Sequence, residues 1–329
     1  MNKNQGMGFV MNSVAKLSVA LSLSIALQAH AAEFLVKYKS ANTFSMMSFQ
    51  SYQMTILDQH EPGRLLKVDI SDKNKVTTLA KLFANPNVEY VVPNGKFHAF
   101  TTPIETTILQ DQWAVSKVQA AKAWERAGNK GSRNVLLSVI DTGVDYKHKN
   151  LAQNMVAGGW DFVKNDGDPM DVTGQNPGHG THCAGIVGAT GLIDAGTVGI
   201  SPEVSIMPIR FLDENGSGSF ENAVKAIDYA ISKNVQVISA SWGAAIDKSQ
   251  AQPLIEAMKR AEKAGIVFVV AAANDGKSND TTDVFPANAG LSNTISVAAS
   301  DSSDAKPSWS NYGRAKVNKG MAEWLACCA

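Results

Sequence analysis

The chain has 329 residues, 44% of them hydrophobic and 18% charged, a composition ordinary for a soluble globular protein and long enough for more than one domain. Thirty Lys and Arg balance thirty Asp and Glu, so no net field draws a nucleic acid or an anionic membrane, and neither is expected as a partner.

Residues 1–31 read as an export signal. Lys16 precedes the apolar run 17–27, and small residues at Ala29 and Ala31 set cleavage near Ala31. The run is too short to cross a bilayer, and a core helix is its alternative reading. Met11 offers a compact basic start inside this segment. The rest of the chain is therefore expected to be secreted or periplasmic, free of the membrane once the signal is removed. Its three cysteines do not come out even, as those of exported chains usually do.

Residues 32–105 follow as a small α+β domain, with strand-like stretches at 34–38, 64–70 and 88–92 and a helical pattern over 75–86. It holds no convergent His, Cys or carboxylate set. The polar, β-branched stretch 101–113 reads as an exposed linker and cleavage region.

Beyond Trp113 helices alternate with fully apolar strands. Helices are predicted over 118–128, 220–234 and 253–265, and strands over 135–140, 204–210, 235–241, 266–273 and 294–300. Apolar strands without alternation are buried on both faces, which implies a mostly parallel sheet covered by helices. The fold class is thus α/β, doubly wound, with this domain over 106–317. Ligands in such folds sit at the carboxyl ends of the strands.

Asp141 ends the first of these strands in "SVIDTGVD", where it serves either as a turn cap or as a functional carboxylate. His179 follows a glycine-rich turn in "NPGHGTHCAG" and begins a helix whose small residues permit close packing. His179, His182 and Cys183 could ligate zinc, but they lack the helical i, i+4 pair with its intervening Glu. Alternatively, His179 is a general base oriented by Asp141 and His182 is a buried structural residue. A carboxylate on one ring nitrogen fixes the tautomer and stabilises the imidazolium formed when the other nitrogen takes a proton. Asn274, in "VVAAANDG", could donate its amide to a developing oxyanion or simply end a strand.

Together "VIDTGVD", "GHGTHCAG", "VISASWG" and "VVAAAND" resemble the subtilisin-like serine proteases, the subtilases, in that family's order of Asp, His and Asn; the likeness runs from about Trp113 to Val317. In subtilisin, the case from which the figure comes, loss of the oxyanion Asn costs about 10² to 10³ in turnover. The resemblance implies that 32–105 is a ferredoxin-like inhibitory propeptide, an intramolecular partner whose tail lies in the active site until cut. It implies a cleft for an extended polypeptide substrate, with Gly216, Ser217 and Gly218 on one wall and Ser241, Trp242 and Gly243 on the other. A monomer is expected. Ala273 stands where the family usually has glycine, and is strained if that position needs positive φ. Asn150 replaces a common calcium-ligand Asp. Asp161, Asp166, Asp168 and Asp171 resemble a calcium loop of some subtilases, or form a solvated acidic turn; calcium is the one cofactor implied, and no organic cofactor is.

The family's "GTSMA" motif, which carries the nucleophilic Ser, does not occur. The match stops at Asn318, and residues 318–329, with Cys327 and Cys328, read as an aberrant tail of a truncated or frameshifted, inactive endopeptidase. The alternative is a non-catalytic secreted peptide-binding protein that keeps the cleft.

Overall fold

The computed structural model describes residues 33–40, 52–99, 112–171, 178–191 and 197–313. The export signal, most of the linker and the tail with Cys327 and Cys328 lie outside these residues. The chain divides into two compact units, Met1–Gly95 and Lys96–Ala329. This boundary precedes residue 105 because the strand at Lys96–Ala99 pairs within the second unit.

The first unit contains β1 (Glu33–Tyr38), β2 (Thr55–His60), β3 (Leu65–Asp69), α1 (Lys75–Ala84) and β4 (Val88–Pro93). Its antiparallel sheet runs β2-β3-β1-β4, the order that a β-α-β-β-α-β ferredoxin-like chain produces; the first connection, 41–51, is outside the described residues. β2 was not expected, because its polar sequence leaves it only half-buried. Phe34, Val36, Leu66, Val68, Leu79 and Leu82 form the core between sheet and helix. The i, i+3 pair on α1 places both leucines on the sheet-facing side.

The second unit contains β5 (Lys96–Ala99), α2 (Trp113–Lys117), α3 (Ala120–Ala127), β6 (Leu136–Asp141), β7 (Trp160–Asp161), α4 (His179–Gly188), β8 (Ser205–Arg210), β9 (Ser217–Ser219), α5 (Phe220–Ser232), β10 (Val237–Ala240), β11 (Trp242–Gly243), α6 (Gln252–Lys263), β12 (Val267–Ala271) and β13 (Thr294–Val297). The six-stranded sheet runs β13-β12-β10-β6-β8-β7, with every pairing parallel. Its five longer strands coincide with the predicted apolar runs to within a few residues. A cluster including Leu137, Val139, Cys183, Ala184, Val204 and Ile206 holds α4 against one sheet face. Gly188 sits 2.8 Å from Val204 at the place a Cβ would occupy, so only glycine lets the helix seat this closely. Seating α4 this way fixes the direction in which His179 leaves the helix.

Candidate active site

The first element of the candidate site is built by one strand end and one helix start. β6 runs out at Asp141, whose side chain is 1% exposed, and α4 opens at His179. His179 Nδ1 lies 2.7 Å from Asp141 Oδ1, and the same carboxylate oxygen accepts the Thr142 N–H at 2.7 Å. Such proximity requires Gly180: a Cβ there would lie 2.1 Å from Gly143 O and 3.0 Å from Asp141 Cβ. The carboxylate is thus held on one ring nitrogen, leaving Nε2 as the atom that can take a proton.

His182 is exposed, which corrects the expectation of a buried residue. The protein packed around the ring, and secondly the neighbouring His179, hold its pKa below the usual 6.5. The metal-capable group found among the described residues is Asp141, His179 and Cys183, whose ligand atoms lie within 4.8 Å of one another. His182 is not part of it, so the zinc set of two histidines and a cysteine is not assembled.

Asn274 follows β12, two strands from β6 at the same carboxyl edge. Both polar atoms of its side chain are buried with no hydrogen-bond partner among the described residues. Ala273 adopts φ +93°, a conformation that costs a non-glycine residue about 1–2 kcal/mol. The loop is clamped by Asn311, which sequence reasoning left without a role although "SNYG" contains it. Its Oδ1 accepts from Asp275 N and Lys277 N, its N–H donates to Ala273 O, and its amide donates to Asn279 Oδ1. Asn311 is wholly buried and brackets Asn274 on both sides.

The segments expected to wall a cleft contain β9 and β11, and β5 lies between these strands, antiparallel to both. Phe97 faces Gly218, and His98 faces Ser217 on one side and Gly243 on the other. The Ala99 N–H donates to Gly216 O at 2.8 Å, and Ser217 Oγ lies 2.9 Å from His98 Nδ1. Gly218 cannot carry a Cβ, which would lie 2.4 Å from Phe211 O. Trp242 is wholly buried, and its Nε1–H donates to Ile140 O at 2.7 Å, tying this wall to β6. Ser241 is buried beside it and joins neither strand pairing.

Phe97 is also wholly buried, stacked on Phe220 at 4.4 Å and tilted against Trp242 at 5.1 Å, with Phe211 4.8 Å beyond. This aromatic box was missed in the sequence, because its members lie far apart in the chain. The available signal was the pair of aromatics flanking "DENGSGS".

The four loop aspartates are not brought together as a metal site, and none belongs to a metal-capable group among the described residues. Asp161 is wholly buried, pairs with Arg210 at 2.6 Å, and accepts from Val163 N and Lys164 N. Asp166 accepts from Asp168 N. Asp168 accepts from the Tyr146 hydroxyl at 2.7 Å, a bond that raises the Tyr146 pKa. Asp171 holds Thr142 and Thr181. Each of these carboxylates thus meets a different protein donor at rest. Asn150 is likewise committed, with its amide donating to Thr197 O and its Oδ1 accepting from Thr190.

Residues 132–324 match the subtilase family. That is more than half of the chain, and it reaches past Val317, where the motif match ends. The chain belongs to the subtilase family. It is 37% identical to thermitase of Thermoactinomyces vulgaris over 68% of this chain and 75% of that protein. It is 40% identical to the thermophilic serine proteinase of Bacillus sp. strain AK1 over 70% of this chain and 53% of that protein. This subtilase thus spans three quarters of one relative and about half of the other. The crystal structure of the epidermin leader peptide processing serine protease from Staphylococcus aureus shares its fold, with a TM-score of 0.69 at 20% identity over 88% of this chain and 74% of that one. Subtilases of this kind are serine endopeptidases, and the mostly parallel α/β sheet is theirs.

Proposed function

We propose that this chain represents an exported serine endopeptidase lineage in which Asp141 and His179 form the acid–base pair and Asn274 is the oxyanion donor. The nucleophilic serine is not supplied by these 329 residues. The observation that carries this reading is the 2.7 Å contact between His179 Nδ1 and buried Asp141. With a serine at Nε2, His179 takes its proton during attack on a peptide carbonyl, Asp141 stabilises the imidazolium, and the Asn274 amide meets the oxyanion. Asn274's buried, unpartnered amide suits that last role, since a donor without a resting partner loses nothing when charge arrives.

The substrate in this reading is an extended polypeptide added as a strand between β9 and β11. The chain's own β5 occupies that place, which supports 32–105 as an inhibitory propeptide and favours aromatic anchoring in the box now filled by Phe97. Export rests on the signal pattern in 1–31. Calcium has no part in the proposed chemistry.

Without the serine, Asp141 and His179 have no hydroxyl to activate, and only weak residual catalysis from binding and oxyanion stabilisation is left. The purified full chain is expected to show no azocasein hydrolysis. Clear hydrolysis that is blocked by a serine-protease inhibitor overturns this reading of the chain. The second reading, a peptide-binding protein without catalysis, is favoured by one observation: the cleft is fully formed around β5. Fluorophosphonate labelling of a longer product at a serine downstream of residue 317 removes that second reading.

A further inference from the structure

Asp171 does not join a metal site, yet its carboxylate sits where three segments meet. Its Oδ1 accepts the Thr142 hydroxyl at 2.9 Å. Its Oδ2 accepts the Thr181 N–H at 2.9 Å and also the Thr181 hydroxyl. A hydroxyl that gives its one proton to a carboxylate keeps its lone pairs for other donors. Both threonines use them: Thr142 Oγ1 accepts the Gly180 N–H at 3.0 Å, and Thr181 Oγ1 accepts the Asp145 N–H at 2.8 Å.

One carboxylate therefore orients two hydroxyls, and each hydroxyl ties the loop after β6 to the start of α4. Thr142 adjoins Asp141, while Gly180 and Thr181 adjoin His179. The junction is also packed without slack. A Cβ on Gly143, at φ +105°, would lie 2.7 Å from Pro169 O and 2.9 Å from Asp171 N. Val144 N–H donates to Pro169 O at 3.0 Å, fastening the same loop to the segment that carries Asp171.

We propose that Asp171 is the positioning residue of the Asp141–His179 pair. It acts through Thr142 and Thr181, each of which adjoins one side of the pair. The proposal rests on the reading of that pair as the acid–base couple. An acceptor-only carboxylate is the group this junction requires: an amide would place donors against hydroxyls that must themselves donate. Its negative charge also lies at the start of α4, where the first N–H groups lack intrahelical carbonyl partners and the helix dipole favours an anion.

The test uses the full chain uniformly labelled with ¹⁵N. A ring Nδ1–H held by a carboxylate gives a far-downfield proton resonance, assigned to His179 by its loss in Asp141→Asn. Asp171→Asn and Thr142→Val are each expected to move this resonance upfield or lose it to exchange, while amide signals from β10 and β12 stay in place. Thr142→Ser, which keeps the hydroxyl, is expected to restore it. An unchanged resonance in a folded Asp171→Asn or Thr142→Val chain overturns the proposal. If Asp171→Asn does not fold, the Thr142→Val and Thr142→Ser pair decides on the same criterion. A wild-type chain with no such resonance contradicts the acid–base pair itself, and the positioning role falls with it.

Discussion

Around Asp141 and His179, carboxylates, hydroxyls and amide groups satisfy one another across three chain segments. Around Asn274 the opposite holds, with two buried polar atoms that have no partner among the described residues, beside an alanine at φ +93°. Under the proposed roles, the difference follows from when each group is needed. A general base must be in place before reaction, so its orientation is fixed by bonds present at rest. An oxyanion donor is used only when charge develops, and a resting partner would have to be displaced first. One end of the site therefore contributes to stability and the other subtracts from it.

The comparison can be broken most severely at Gly180. Gly180→Ala forces a Cβ to within 2.1 Å of Gly143 O, and it is expected to cost about 3 kcal/mol in urea unfolding, or to prevent folding. The clamp on the other side comes next. Asn311→Ala leaves the Asp275 and Lys277 N–H groups without their acceptor and is expected to cost about 2 kcal/mol. Ala273→Gly should act in the other direction, stabilising the chain by about 0.5–1 kcal/mol, because relief of positive φ exceeds the added entropy of glycine. Asn274→Ala, which removes atoms with no partner, is expected to change stability by less than about 0.5 kcal/mol. A large loss there would mean that Asn274 is held by bonds, as His179 is.

The pH dependence gives the finest discrimination. His182 has a lowered pKa in the folded chain, so the unfolded chain binds the proton first as pH falls. Its contribution is then a loss of stability that begins below about pH 6.5 and levels off below the folded pKa. His182→Gln should flatten that part of the curve in chemical unfolding measured from pH 7.5 to 5; an unchanged slope would contradict the lowered pKa.

The sequence made the second unit's main sheet legible because strands such as 204–210 and 235–241 are apolar throughout, a pattern that only burial on both faces explains. The contact between Asp141 and His179 was legible because Asp141 ends an apolar strand and His179 opens a helix after a glycine-rich turn. β5, β7, β9 and β11 were not, since two to four residues carry no periodicity, and what makes them strands is their neighbours. The loop aspartates show the same limit. Their density was visible, but sequence does not say which donor each carboxylate meets, and Asp161 met Arg210 while Asp171 met two threonines. The aromatic box depends on Phe97, Phe211, Phe220 and Trp242 converging from four places in the chain. His182 was misjudged because helical spacing was read without knowing which face of α4 meets the sheet.

The central point of the proposed function is that Asp141, His179 and Asn274 form a prepared proteolytic site in which no serine of these 329 residues is paired with His179. It is tested most directly by treating the purified full chain with a fluorophosphonate probe and mapping adducts by mass spectrometry. No serine adduct is expected, in either the wild-type chain or His179→Ala. A serine adduct in the wild-type chain that disappears in His179→Ala would contradict the account, because it would show a nucleophile already paired with that histidine.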